Sequence, residues 1–176
     1  VLTEAALGAY VVTPIIAAIA GAEKVYAIAK NSNHGSTEKA QNYTRYIASH
    51  MGVTDKIQIV KKKGHGVVSK ADIITNSGHV RPIDSQMIDS MKPTAIISLM
   101  YESWEFRNED IDIEACRKKK IPIVGINEQH PSINVFSYLG SMAVKLLMDT
   151  GLPVIHNRII LLCDNDFESF IVNGLR

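Results

Sequence analysis

Five short apolar runs constrain this chain most: residues 24–29 (KVYAIA), 72–75 (DIIT), 95–100 (AIISLM), 122–126 (PIVGI) and 158–163 (RIILLC). None shows the strict alternation of a strand with one face in water, so each reads as a strand covered on both faces. Residues 56–60 (KIQIV) do alternate and read as a more exposed strand, with Lys61, Lys62 and Lys63 as its solvated end. Helical spacing fills the intervals. Residues 36–51 carry Ser36 or Thr37 as N-cap, Glu38 in the first turn, and Ala40, Tyr43 and Ile47 on one face, before Gly52 ends the helix. Residues 85–91, 113–119 and 133–150 read as further helices. Buried strands joined by helical crossovers predict an α/β fold with a doubly wound, mainly parallel sheet.

The first residues carry a different signal. Thr3 suits a helix cap and Glu4 the first turn, and Thr13-Pro14 offers a second helix start before Gly21 stops the segment. On this reading the chain opens in a helix, and a first strand with its loop belongs upstream of Val1. Residues 157–176 run strand, polar turn, helix, and resemble the start of a further βα unit. Without a repeat, a low-complexity stretch or a linker, residues 1–176 read as a single domain, complete or excised from a longer chain.

Charge and cysteine content narrow the function classes. Nineteen basic and eighteen acidic side chains leave a formal charge of +1, so no field of one sign draws in nucleic acid or an anionic membrane. Cys116 and Cys163 are far apart and lack metal-ligand spacing, which suits free thiols in a reducing, cytoplasmic setting. No pair of histidines has ligand spacing, so no metal site is expected. The apolar stretch at residues 5–22 is broken by Pro14 and reads as a packed segment rather than a membrane span.

In doubly wound sheets, ligands lie beyond the carboxyl ends of the strands, near the point where strand order reverses. That rule selects Lys30, Asn31 and Ser32 after the first run, and Asn76, Ser77, Gly78, His79 and Arg81 after residue 75. It also selects Tyr101, Glu102, Ser103 and Trp104 after residue 100, Asn127, Glu128, Gln129 and His130 after residue 126, and Asp164, Asn165 and Asp166 after residue 163. Asn31, Ser77, Glu102 and Asn127 are expected on one edge. Solvation or turn capping accounts equally well for any one of these residues; as a set they suit a polar ligand cleft.

Residues 71–99 (ADIITNSGHVRPIDSQMIDSMKPTAIISL) resemble the second half of NAD(P)-binding Rossmann domains, such as those of 2-hydroxyacid dehydrogenases and S-adenosylhomocysteine hydrolase. The resemblance implies that Asn76, Ser77 and Gly78 pass a dinucleotide, and that the segment after residue 96 approaches its nicotinamide. Two features depart from that family. No G-x-G-x-x-G opens a βα unit, Gly64-His65-Gly66 being the nearest match, and Lys30, Asn31 and Ser32 stand where an NAD enzyme carries an acid for the ribose. The basic replacement favours NADP over NAD. Residues 21–60 also resemble the ribose and adenine region of S-adenosylmethionine-dependent methyltransferases, though residues 120–156 lack the antiparallel ending of that fold.

Acid/base work falls to His130 beside Glu128, or to His79 beside Arg81. His130 serves equally as a loop cap, and Arg81 equally as an ion-pair partner of Asp84 or Asp89. Trp104, flanked by Glu102 and Glu105, suits stacking on a planar ring or packing at an interface. Three classes follow: an NAD(P)-dependent oxidoreductase domain taking a small-molecule ligand, with a partner domain or second copy closing the site; a methyltransferase; and a non-catalytic ligand-binding or assembly module.

Overall fold

The computed structural model describes residues 1–176 except Gln129 and the side chain of Trp104. It divides into two compact units, Val1–Ile126 and Asn127–Arg176. The first is a six-stranded sheet: β1 Leu2–Glu4, β2 Val25–Ile28, β3 Ile57–Val60, β4 Ile73–Thr75, β5 Ile96–Ser98 and β6 Ile123–Val124. The order is β3-β2-β1-β4-β5-β6 and every pairing is parallel. Five of these strands fall within the apolar runs or the alternating run of the sequence.

Helices cover both faces, which is why the strands lack alternation. On one face α1 (Thr13–Ile19) and α2 (Thr37–His50) bury Ile15, Ala18 and Ala48 against Val25 and Val53. On the other, α3 (His65–Val68), α4 (Ser85–Ser90) and α5 (Ile113–Lys119) bury Val68, Ile88 and Cys116 against Leu2, Ile28, Ile74 and Ile97. Side chains cap the longer turns as their chemistry dictates. Ser36 accepts from the Lys39 N–H, Asp84 from that of Met87, and Asp112 from that of Ala115.

Two expectations are corrected. Thr3 and Glu4 do not start a helix: they end β1, a central strand hydrogen-bonded between β2 and β4. A Thr-Glu pair caps a helix or closes a strand equally well by local chemistry, and two flanking strands decide the matter here. Helix α1 starts at Thr13, where the second start signal lay, after a 3-10 turn over Gly8–Val12. Residues 158–163 join no strand; Ile160 and Leu162 are 87% and 92% exposed. Apolar character alone forms no strand without a neighbouring edge to pair with.

The second unit holds α6 (Tyr138–Asp149) and α7 (Glu168–Leu175). Their backbones cross at Gly140 and Gly174, where a Cβ on Gly140 would stand 2.5 Å from the Gly174 Cα. Phe136 packs its ring against those of Phe167 and Phe170, with centroids 5.1 and 5.5 Å away. No helix among the described residues is long and apolar enough to cross a membrane.

Candidate functional site

Strand order reverses between β1 and β4, and beyond their carboxyl ends lies a cleft of about 410 Å³. It is bounded by Glu4, Leu7 and Tyr10 from β1 and its loop, Ser32 and His34 beyond β2, Asn76 to His79 with Arg81 beyond β4, and Tyr101, Glu105 and Arg107 beyond β5. Its size falls within the roughly 300–1,000 Å³ of small-molecule sites.

The floor is a chain of hydroxyls. Thr75 Oγ1 donates to Thr3 Oγ1 at 2.9 Å and lies 3.0 Å from Ser77 Oγ, so the ends of β1 and β4 are locked together beneath the cleft. Asn76 is 1% exposed, and its Oδ1 accepts the Met100 N–H at 2.7 Å, tying β4 to the β5 loop. Its Nδ2 is buried with no hydrogen bond of good geometry. The Tyr101 hydroxyl feels that amide only as a weak pull toward phenolate. A buried amide donor without a partner costs about 1–3 kcal/mol, which an acceptor on a ligand or an ordered water would recover.

Acid and base face each other across Gly78. Glu4, 6% exposed, accepts the His79 N–H through Oε2 at 2.9 Å. The His79 ring turns back toward the sheet: Nδ1 lies 3.2 Å from the Ile28 carbonyl and 3.9 Å from Glu4 Oε2, both acceptors, so Nδ1 carries a proton. Opposite, Arg81 Nη1 donates to Asp110 Oδ2 at 2.8 Å, and Tyr101 donates to the same oxygen at 2.9 Å. Burial foremost, then the Asp110 hydrogen bond, hold the Tyr101 phenol above its ordinary value of 10.0. The Arg107 guanidinium lies 5.8 Å from the Tyr101 ring centroid.

The structure sorts the expected residues. Asn31, Ser77 and Glu102 follow parallel strands β2, β4 and β5, hence one edge, and Asn127 opens the second unit. Of the selected residues, Ser32, Asn76, Ser77, Gly78, His79, Arg81 and Tyr101 line the cleft. Asn31 instead accepts both the N–H and the hydroxyl of Thr37, a capping role at the start of α2. Lys30 lies near Lys63 rather than in the cleft; burial depresses the Lys63 ammonium, and the like charge of Lys30 adds to this. Lys63 donates to the Pro82 carbonyl. Glu102 precedes the 3-10 turn Ser103–Glu105, and its carbonyl accepts from the Glu105 N–H. Arg81 pairs with Asp110 rather than with Asp84 or Asp89.

Asn127, Glu128 and His130 belong to the second unit. His130 is exposed; its Nδ1 takes the Ser132 N–H at 3.2 Å, and its carbonyl takes those of Ile133 and Asn134, so it builds a turn. Asn165 Oδ1 likewise caps the Phe167 N–H. Gln129 and the Trp104 ring lie outside the described residues. No family model, curated protein or solved structure matches this chain.

Sequence reasoning missed Glu4, Tyr10, His34 and Arg107. Placing Glu4 on a helix removed it, with Leu7 and Tyr10, from the strand ends; the available signal was that Val1-Leu2 precede a polar pair and a glycine, as at a buried strand end. Among the described residues no group of three His, Cys, Asp or Glu side chains could hold a metal.

Proposed function

We propose that this domain binds a nucleotide-type cofactor in the switch-point cleft and serves an NAD(P)-dependent oxidoreductase, the substrate being a small molecule. The supporting observation is the cleft's position: it spans the ends of β2, β1, β4 and β5 at the reversal of strand order, the course a dinucleotide follows over a doubly wound sheet. On this reading Ser32 meets the ribose, Asn76 Nδ2 donates to an acceptor on the cofactor, and His79 Nε2 accepts a proton at the reactive end. A bound nicotinamide would supply the hydride acceptor or donor. Lys30, beyond β2 and outside the cleft, would meet a 2′-phosphate reaching past Ser32, which favours NADP. The methyltransferase reading has less support, since no antiparallel strand closes the sheet among the described residues.

The cradle is atypical. Where fingerprint domains have glycines after β1, this chain runs Glu4 to Gly8 (EAALG), and the Glu4 carboxyl stands beside Gly78, where phosphates cross. Lost backbone donors and an opposing acid predict weak binding, on the order of millimolar, about −4 kcal/mol. Calorimetry on the full chain tests this. NADP(H) binds more tightly than NAD(H), Lys30→Asp reverses the order, and Glu4→Gln tightens both by relieving repulsion. Tighter NAD(H) binding by the unmodified chain contradicts the cofactor assignment.

A further inference from the structure

Beside Gly78 the cleft presents two opposite charges at close range. A side-chain carbon built on Gly78 would lie 3.5 Å from Glu4 Oε2 and 3.8 Å from Arg81 Nη2, both ordinary van der Waals distances, so the glycine leaves a seat between a carboxyl and a guanidinium. The two do not pair with each other: Arg81 spends Nη1 on Asp110, and Glu4 Oε2 takes the His79 N–H. Glu4 is held in a buried position and Arg81 is anchored by a buried carboxylate, so neither reorganises to receive a ligand. Asn76, 1% exposed, adds to the same cleft a buried donor whose Nδ2 makes no hydrogen bond of good geometry. The seat therefore offers an acceptor for a cation on the β1 side and forked donors for an anion on the β4 side.

We infer that the Glu4–Gly78–Arg81 seat recognises a zwitterion, an ammonium beside a carboxylate, as carried by an α-amino acid. The inference rests on the switch-point cleft being the ligand site, and it names the class of substrate taken there. Two sources share this chemistry: a free amino acid, held where a dinucleotide's phosphates would otherwise cross, and the amino-acid tail of a nucleoside such as S-adenosylhomocysteine. A lone carboxylate would leave Glu4 facing an anion without compensation, and a lone amine would leave the Arg81 donors not spent on Asp110 without an acceptor, so each single-charge analogue forgoes one half of the seat.

The test is a thermal-shift panel on the full chain with the protein L-amino acids and S-adenosylhomocysteine, followed by calorimetry on the ligands that stabilise it. Each is compared with its analogue lacking the amino group. The zwitterion is expected to bind at least about tenfold more tightly than that analogue, and Glu4→Gln to remove this advantage. Gln at this position still accepts from His79, so the fold is retained. Gly78→Ala places a methyl in the seat without touching either charge, and is expected to abolish zwitterion binding while leaving the melting temperature of the free chain near its starting value. Stabilisation by a free amino acid assigns the first source, and by S-adenosylhomocysteine alone the second. Equal binding of the deaminated analogue, an unchanged Glu4→Gln, or no stabilisation by any member overturns the inference. NADP(H) titrated separately keeps the two readings apart: Glu4→Gln tightens the nucleotide and weakens the zwitterion, and nucleotide binding without zwitterion binding removes this inference alone.

Discussion

Asp110, 7% exposed, joins two loops by one oxygen, which accepts from Arg81 beyond β4 and from Tyr101 beyond β5. Removing that charge leaves a partly buried guanidinium and a phenol without their acceptor, so Asp110→Ala is expected to cost about 1–3 kcal/mol in urea unfolding. Tyr101 adds a pH dependence. Its phenol titrates above 10.0 in the folded chain, so the neutral form is the one the fold favours. That contribution is complete below the unfolded value and is lost as pH rises through the folded one. Stability should therefore fall on the alkaline side of pH 10, and Tyr101→Phe should flatten the fall; equal slopes for both proteins would contradict this. At this scale the sequence was only partly legible. Arg81 stood out as a forked donor, but its partner lies 29 residues away in a loop with no recognisable pattern. His79 was selected by position, whereas the Nδ1 proton turned to the Ile28 carbonyl depends on a strand contact no local pattern encodes.

The elements divide by what specifies them. Strands β2 to β6 and helices α2, α4 and α5 were legible because burial on both faces, caps and turn residues all act within a few positions. Serine at 36 and aspartates at 84 and 112 cap as their side chains require. Strand β1 was not legible: three residues carry no period, and only pairing with β2 and β4 makes them a strand. The same reasoning, reversed, explains residues 158–163, whose apolar pattern finds no edge. In the second unit, Gly140 and Gly174 let α6 and α7 approach backbone to backbone. Gly140→Leu must push the helices apart, with an overpacking cost of about 1–3 kcal/mol or more. Hydrogen–deuterium exchange should show α7 amides exchanging faster in the variant; unchanged α7 protection would mean the close crossing is dispensable.

For the whole molecule, the position of the cleft follows from how the sheet is wound. The parallel order β3-β2-β1-β4-β5-β6 gathers the ends of β1 and β4 at the reversal, and four loops close around them to bring acid, base, amide and hydroxyl groups into one cleft. A formal charge of +1 gives no reason to expect a polyanion and is silent about the ligand, since it conceals Glu4 and Arg81 on either side of Gly78. Hydrogen exchange of the full chain, with and without NADPH at millimolar concentration, shows whether the cofactor lies over the reversal of strand order. Slowed exchange is expected in the four loops at residues 5–10, 30–34, 76–81 and 100–107, and a weaker effect in Gly78→Ala. Protection that leaves these four loops unchanged while NADPH binds would contradict that placement.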